Sequence, residues 1–106
     1  MNAATSELEH NAVLLKLMGN PERLAVLTLL QGSERSIDEL AGALALPPTV
    51  VSKHLARLRA GKLVDYTRYH RVLQYRLVSK QVSAVLDALL APDAKTQKST
   101  AGAVGE

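Results

Sequence analysis

From Leu8 to Met18 the apolar residues Leu8, Ala12, Val13, Leu14, Leu15, Leu17 and Met18 spread over more than one face of a helix. A helix apolar on two sides packs against its own core and also against something else. Gly19-Asn20-Pro21 then punctuates the chain. Asn20 is a capping residue type and Pro21 suits a first helical position. A second helix is predicted from Pro21 to about Gln31, stopped by Gly32 as a C-terminal glycine. Ser36-Ile37-Asp38-Glu39 is a capping box, in which the Ser36 hydroxyl accepts from the Glu39 N–H and the Glu39 carboxylate accepts from the Ser36 N–H. The third helix carries Ile37, Leu40, Ala41 and Leu44 on one face and is expected to end near Leu46. Pro47-Pro48 breaks the chain and restarts it.

The fourth helix, Pro48 to Ala60, separates its two sides most cleanly. Val51, Leu55 and Leu58 recur at the spacing of a buried stripe, while Thr49, Ser52, Lys53, Ala56 and Arg57 lie on the other side. Nothing on that outer side needs burial. After Gly61 the period changes. Residues 63–68 and 72–78 are rich in β-branched and aromatic types, and Leu73, Tyr75 and Leu77 alternate with Val72, Gln74 and Arg76. A two-stranded hairpin follows, with Arg68, Tyr69, His70 and Arg71 at its tip and no glycine to declare the turn type. A last helix from Lys80 to about Ala91 carries the stripe Val82, Val85, Leu86, Leu89 and Leu90, and Pro92 ends it. Asp93 to Glu106 is small and polar and reads as a flexible tail.

The 106 residues allow one domain, and with three Tyr and no Phe or Trp its core has to be aliphatic. No apolar run approaches the roughly 18 residues of a membrane span, and the N-terminus has no charged-then-apolar signal pattern, so a cytoplasmic protein is expected. The chain has no cysteine, which removes disulfides, thiolate metal sites, iron–sulfur clusters and thiol redox switches. His10, His54 and His70 are scattered, with no pair at i, i+4, so no metal, cofactor or catalytic site is assigned. Charge adds the most. Eight of the thirteen cations lie between Lys53 and Lys80 (Lys53, Arg57, Arg59, Lys62, Arg68, Arg71, Arg76 and Lys80), against Asp65 alone. Such a concentration on a small domain points to a polyanion.

These elements make a mainly α fold with a small β-hairpin: a winged helix-turn-helix of about five helices and a two-stranded wing. A helix fits the major groove of duplex DNA if its outward side chains are donors, acceptors or small groups. Thr49, Ser52 and Lys53 meet that demand at the N-terminal end of the fourth helix, and Arg57 reaches phosphate or a guanine edge. Arg68 and Arg71 are placed to grip backbone or the adjacent minor groove, with Tyr69 and His70 beside them. His54 has two readings, a phosphate contact beside Lys53 and Arg57 or a hydrogen bond to its own fold. A winged-helix module for protein–protein contact is the alternative, but it does not need this excess of positive charge.

The runs Leu17-Met18-Gly19-Asn20-Pro21-Glu22-Arg23-Leu24, Ser36-Ile37-Asp38-Glu39-Leu40-Ala41, Val51-Ser52-Lys53-His54-Leu55-Ala56-Arg57-Leu58-Arg59 and Gly61-Lys62-Leu63-Val64 resemble the ArsR/SmtB family of small winged-helix repressors, in the family's order, over residues 12–90. The resemblance implies a homodimer built by the first and last helices, through Leu8, Ala12, Leu15, Val82, Val85, Leu86 and Leu89, that binds an inverted-repeat operator in double-stranded DNA. Residues 1–92 then form the DNA-binding and dimerisation domain and 93–106 the tail. The family's recognition positions fall on Pro47, Pro48, Thr49, Ser52, Lys53 and His54, with the two prolines where many members carry Ser-Gln. Its sensing chemistries lack their ligands: Ser36 and Asp38 stand where metal-binding members have cysteines, and no His follows His70 to join Asp87. The effector is therefore unassigned.

Overall fold

The computed structural model describes residues 3–90. Its elements are α1 (Ala3–Met18), α2 (Pro21–Gly32), α3 (Ile37–Leu44), α4 (Pro48–Ala60), β1 (Val64–Tyr69), β2 (Val72–Leu77) and α5 (Lys80–Leu90). The expected tail, Asp93 to Glu106, and the stop at Pro92 lie outside the described residues.

Helix α1 begins five residues before the first apolar residue of its pattern, at Ala3 rather than Leu8. Apolar spacing marks only where a helix packs, and the exposed Ala4, Ser6 and Glu7 lie in the turn that precedes that pattern. Asn20 caps α2 as its type suggests, its Oδ1 accepting from the Arg23 N–H at 3.0 Å. The Arg23 side chain turns back and donates Nε to the Leu17 carbonyl at 2.7 Å. A cation thereby meets the carbonyl end of α1 and pins the α1–α2 corner.

The exit from α2 differs from expectation. Gly32 is the last helical residue, and the chain leaves through Ser33 at φ −171°, in extended backbone, with no left-handed glycine cap. The reason is tertiary: the chain runs straight on to pair with the sheet. The Arg35 N–H donates to the Tyr75 carbonyl at 3.0 Å, and the Tyr75 N–H donates to the Arg35 carbonyl at 2.8 Å.

The capping box of α3 forms as read, with Glu39 N–H to Ser36 Oγ at 3.1 Å and Ser36 N–H to Glu39 Oε1 at 2.8 Å. The helix stops at Leu44 rather than Leu46, because Ala45 turns left-handed at φ 55°. Both the Ala45 and Leu46 N–H groups then donate to the Ala41 carbonyl, which closes a tight turn into Pro47-Pro48.

Helix α4 has the predicted bounds, and Val51, Leu55 and Leu58 are each 0% exposed. It ends at Gly61, where an added Cβ would collide with the Leu17 side chain of α1. The left-handed residue is the next one, Lys62, at φ 66°. Strands β1 and β2 pair antiparallel from Val64↔Leu77 to Tyr69↔Val72, which leaves a two-residue loop, His70–Arg71. His70 takes φ 57°, a left-handed backbone reached without glycine, and Arg71 keeps the ordinary negative φ.

The core joins α2, α3, α4, the base of the hairpin and α5. Its fully enclosed side chains are Val26, Leu27, Leu40, Val51, Leu55, Leu58, Leu63, Val64, Val82 and Leu86, and it is aliphatic as composition demands. Tyr75, at 8% exposure, is the one aromatic among the buried residues. No described helix is long and apolar enough to cross a membrane.

Candidate nucleic-acid interface

The stripe on α4 decides what its other side can do. With Val51, Leu55 and Leu58 facing inward, Thr49, Ser52, Lys53, Ala56 and Arg57 are all exposed. The helix starts on Pro47 and Pro48 with no side-chain cap, so its N-terminus is open to an anion. Lys53 and Arg57 make no ion pair with a described residue. This surface is polar, cationic and unobstructed.

His54 behaves differently from its neighbours. Its Nε2 lies 2.7 Å from Glu22 Oε1, and its side chain is only 13% exposed against 46% for Glu22. The imidazole therefore ties α4 to the first turn of α2, which accords with the second of its two readings. A phosphate would have to displace Glu22 to reach it.

On the wing, Arg68, Tyr69, His70 and Arg71 are exposed together at the tip, Tyr69 at 51%. Neither arginine is paired with a described carboxylate. Two other cations of the basic stretch are engaged. Arg76 donates to Thr67 Oγ1 across the strands at 2.6 Å, and Arg59 Nε donates to Asp65 Oδ1 at 3.0 Å. The Arg59 bond, with a second from the Tyr66 N–H, holds the Asp65 carboxyl below the usual carboxylate range; in return Asp65 raises the Arg59 guanidinium above its ordinary value. Burial pushes the Tyr75 hydroxyl up. Among the described residues no three His, Asp or Glu side chains are grouped to hold a metal.

The residues expected at a subunit interface divide. Leu8, Ala12 and Leu15 on α1 and Leu89 on α5 are exposed, Leu8 at 68%, Leu15 at 59% and Leu89 at 62%, with Val85 half-buried. Val82 and Leu86 need correction: at 1% and 0% exposure they are enclosed within the chain itself and have no surface to offer a partner. The α5 stripe is wide enough that its centre fills the core and its edge stays outside. Val13, at 57%, extends the exposed apolar surface and was absent from the expected set, although it stands in the same apolar run. Gln31 fixes α5 against α2, its Nε2 donating to Asp87 Oδ1 at 2.6 Å and to the Ser83 carbonyl at 3.2 Å.

Known proteins share this arrangement. A family model described as a helix-turn-helix domain matches residues 18–67. The transcriptional activator HlyU of Vibrio cholerae is 38% identical over 87 residues, 78% of this chain and 81% of that protein. Its structure in the reduced form superposes with a TM-score of 0.78 at 33% identity, covering 87% of this chain and 100% of that one. The transcriptional repressor SmtB of Mycobacterium tuberculosis is 38% identical over 77 residues, 72% of this chain and 57% of that protein. A solution structure from Mycobacterium bovis, described as a homodimeric winged helix-turn-helix domain and a possible ArsR-family regulator, shares the fold at TM-score 0.78 and 23% identity, over 100% of this chain and 94% of that one.

Proposed function

The chain belongs to the ArsR/SmtB family of DNA-binding, winged helix-turn-helix transcriptional regulators, and from that premise we propose that it acts in the cytoplasm as a homodimeric repressor seated on an inverted-repeat operator. The observation that carries the reading is the exposure of Thr49, Ser52 and Lys53 on α4 above a fully buried Val51, Leu55 and Leu58. Buried there, the same residues would leave nothing to enter a groove.

In this reading α4 lies in the major groove. The hydroxyls of Thr49 and Ser52 donate and accept at base edges, Lys53 reaches the guanine acceptors, and Arg57 holds phosphate or a guanine edge one turn on. His54 supports α4 through Glu22 rather than touching DNA. The wing carries Arg68 and Arg71 to the backbone or the adjacent minor groove, with Tyr69 and His70 at the same edge. No step in this is catalytic. The exposed Leu8, Val13, Leu15 and Leu89 support dimerisation through α1 and α5, since apolar surface of this kind is stabilised by cover. A twofold dimer sets its two recognition helices about 34 Å apart, one turn of duplex.

Selection of bound sequences from random duplex DNA tests the proposal. The expected product is an inverted repeat with half-site centres about 10 base pairs apart, whose binding weakens with salt at a logarithmic slope near −5 if about six phosphates are held. Recovery of a single half-site or a direct repeat would overturn the symmetric dimer. Recovery of no sequence at low salt would overturn DNA recognition itself.

A further inference from the structure

Asp65 is the only carboxylate between Glu39 and Asp87, and it sits in the stretch that gathers eight cations. On a surface that meets phosphates an anion is a cost unless it has another task. Its contacts supply one. Asp65 Oδ1 accepts from Arg59 Nε at 3.0 Å and from the Tyr66 N–H at 2.8 Å. The Arg59 guanidinium also lies over the Tyr66 ring, 4.4 Å from its centroid. Tyr66 in turn packs on Tyr75 at 5.3 Å between centroids and 57° between planes. Tyr75 is buried, and its backbone is held on the other side by Arg35. These contacts run from the last turn of α4 through the base of the wing into the core.

We infer that Arg59 is a positioning residue: by gripping Asp65 and Tyr66 it sets the angle between recognition helix and wing, and it does not itself bind DNA. The inference rests on the DNA-binding reading above. The geometry gives the brace leverage. Tyr69 lies four residues beyond Asp65, about 13 Å along an extended strand, so a tilt of about 10° at the base moves the tip by about 2 Å. That displacement is enough to break a hydrogen bond from Arg68 or Arg71. The ion pair is half-exposed, at 51% and 47%, so removing it leaves the fold intact.

The test exploits opposed signs. Charge alone predicts that Asp65→Ala strengthens binding to every duplex. With the brace acting, Asp65→Ala leaves binding to a random-sequence duplex undiminished and weakens binding to the selected sequence by about fivefold, the scale of one lost exposed contact network. Unchanged or tighter binding to the selected duplex overturns the inference. Arg59→Gln produces the same loss, and the double variant loses no more than either single one. Additive losses would place Arg59 on the DNA instead and also overturn it. In the free protein, the distance distribution between spin labels at residues 53 and 70 broadens on Asp65→Ala; an unaltered width removes the brace without reference to DNA. Failure of the unaltered protein to bind any duplex would sink the underlying reading, leaving the label distances to judge the brace by itself.

Discussion

Helices α1 and α4 deal with apolar residues in opposite ways. Of the described side chains on the 16-residue α1, Met18 is the one that is buried, while Leu8, Val13 and Leu15 stand more than half exposed. The 13-residue α4 encloses Val51, Leu55 and Leu58 completely and exposes no large apolar side chain. The chain has thus finished α4 and left α1 unfinished. A finished helix can offer its outer face to an aqueous, highly charged groove. An unfinished one keeps a surface that water disfavours, which a second copy of the chain would cover.

Removing the unfinished surface should have the largest effect. Leu15→Glu combined with Leu89→Glu places charge on two exposed positions, so helical content is retained while the dimer separates. Sedimentation should show a monomer, and operator affinity should fall by about 10²–10⁴, the gain from joining two half-sites. A variant that stays dimeric would take α1 and α5 out of the interface.

Next comes the inner face of α4. Leu55→Ala leaves a cavity under the recognition helix and should cost about 2–5 kcal/mol in urea unfolding. A cost below about 1 kcal/mol would mean that the site collapses freely and that α4 is not rigidly seated.

The outer face is worth less per residue. Lys53→Ala should weaken the selected operator by about 1–3 kcal/mol and random DNA by less. Equal losses on both would reduce Lys53 to a phosphate contact. The smallest effect per contact belongs to the wing tip: replacing both Arg68 and Arg71 by Ala removes four cations from a dimer and should flatten the salt slope by about 4, near one for each phosphate released. An unchanged slope would leave the wing off the DNA, and α4 would then carry recognition alone.

Much of this division is legible along the chain. The Ser36/Glu39 capping box, the Asn20 cap and the Val51–Leu55–Leu58 stripe depend on residues within about one or two helical turns of each other, where spacing and chemistry fix the outcome. The outward set Thr49, Ser52, Lys53 and Arg57 is then simply the other side of α4. Partners distant in sequence are a different matter. His54 pairs with Glu22, Arg35 bridges Tyr75, and Gln31 holds Asp87, each across a separation that no local pattern encodes.

Amphipathic spacing also says how wide an apolar stripe is without saying where the folded chain's surface cuts it. Val82 and Leu86 went to the core and Leu89 to the surface because α5 is held against α2 through Gln31, a contact that a one-dimensional period does not contain. The same holds for the basic stretch: composition counts its cations, but only the packing of β1 against α4 occupies Arg59 and leaves Lys53, Arg68 and Arg71 unpaired with any described carboxylate. The left-handed Ala45, Lys62 and His70 carry no glycine to announce them, because the closure of the turns around them sets their backbone rather than their own preference. Local chemistry along the chain therefore determined where the helices lie, the Asn20 and Ser36/Glu39 N-caps and which face of α4 points outward. Tertiary packing alone decided which of those outward groups remain free, since a contact between distant segments exists only once the core has brought them together.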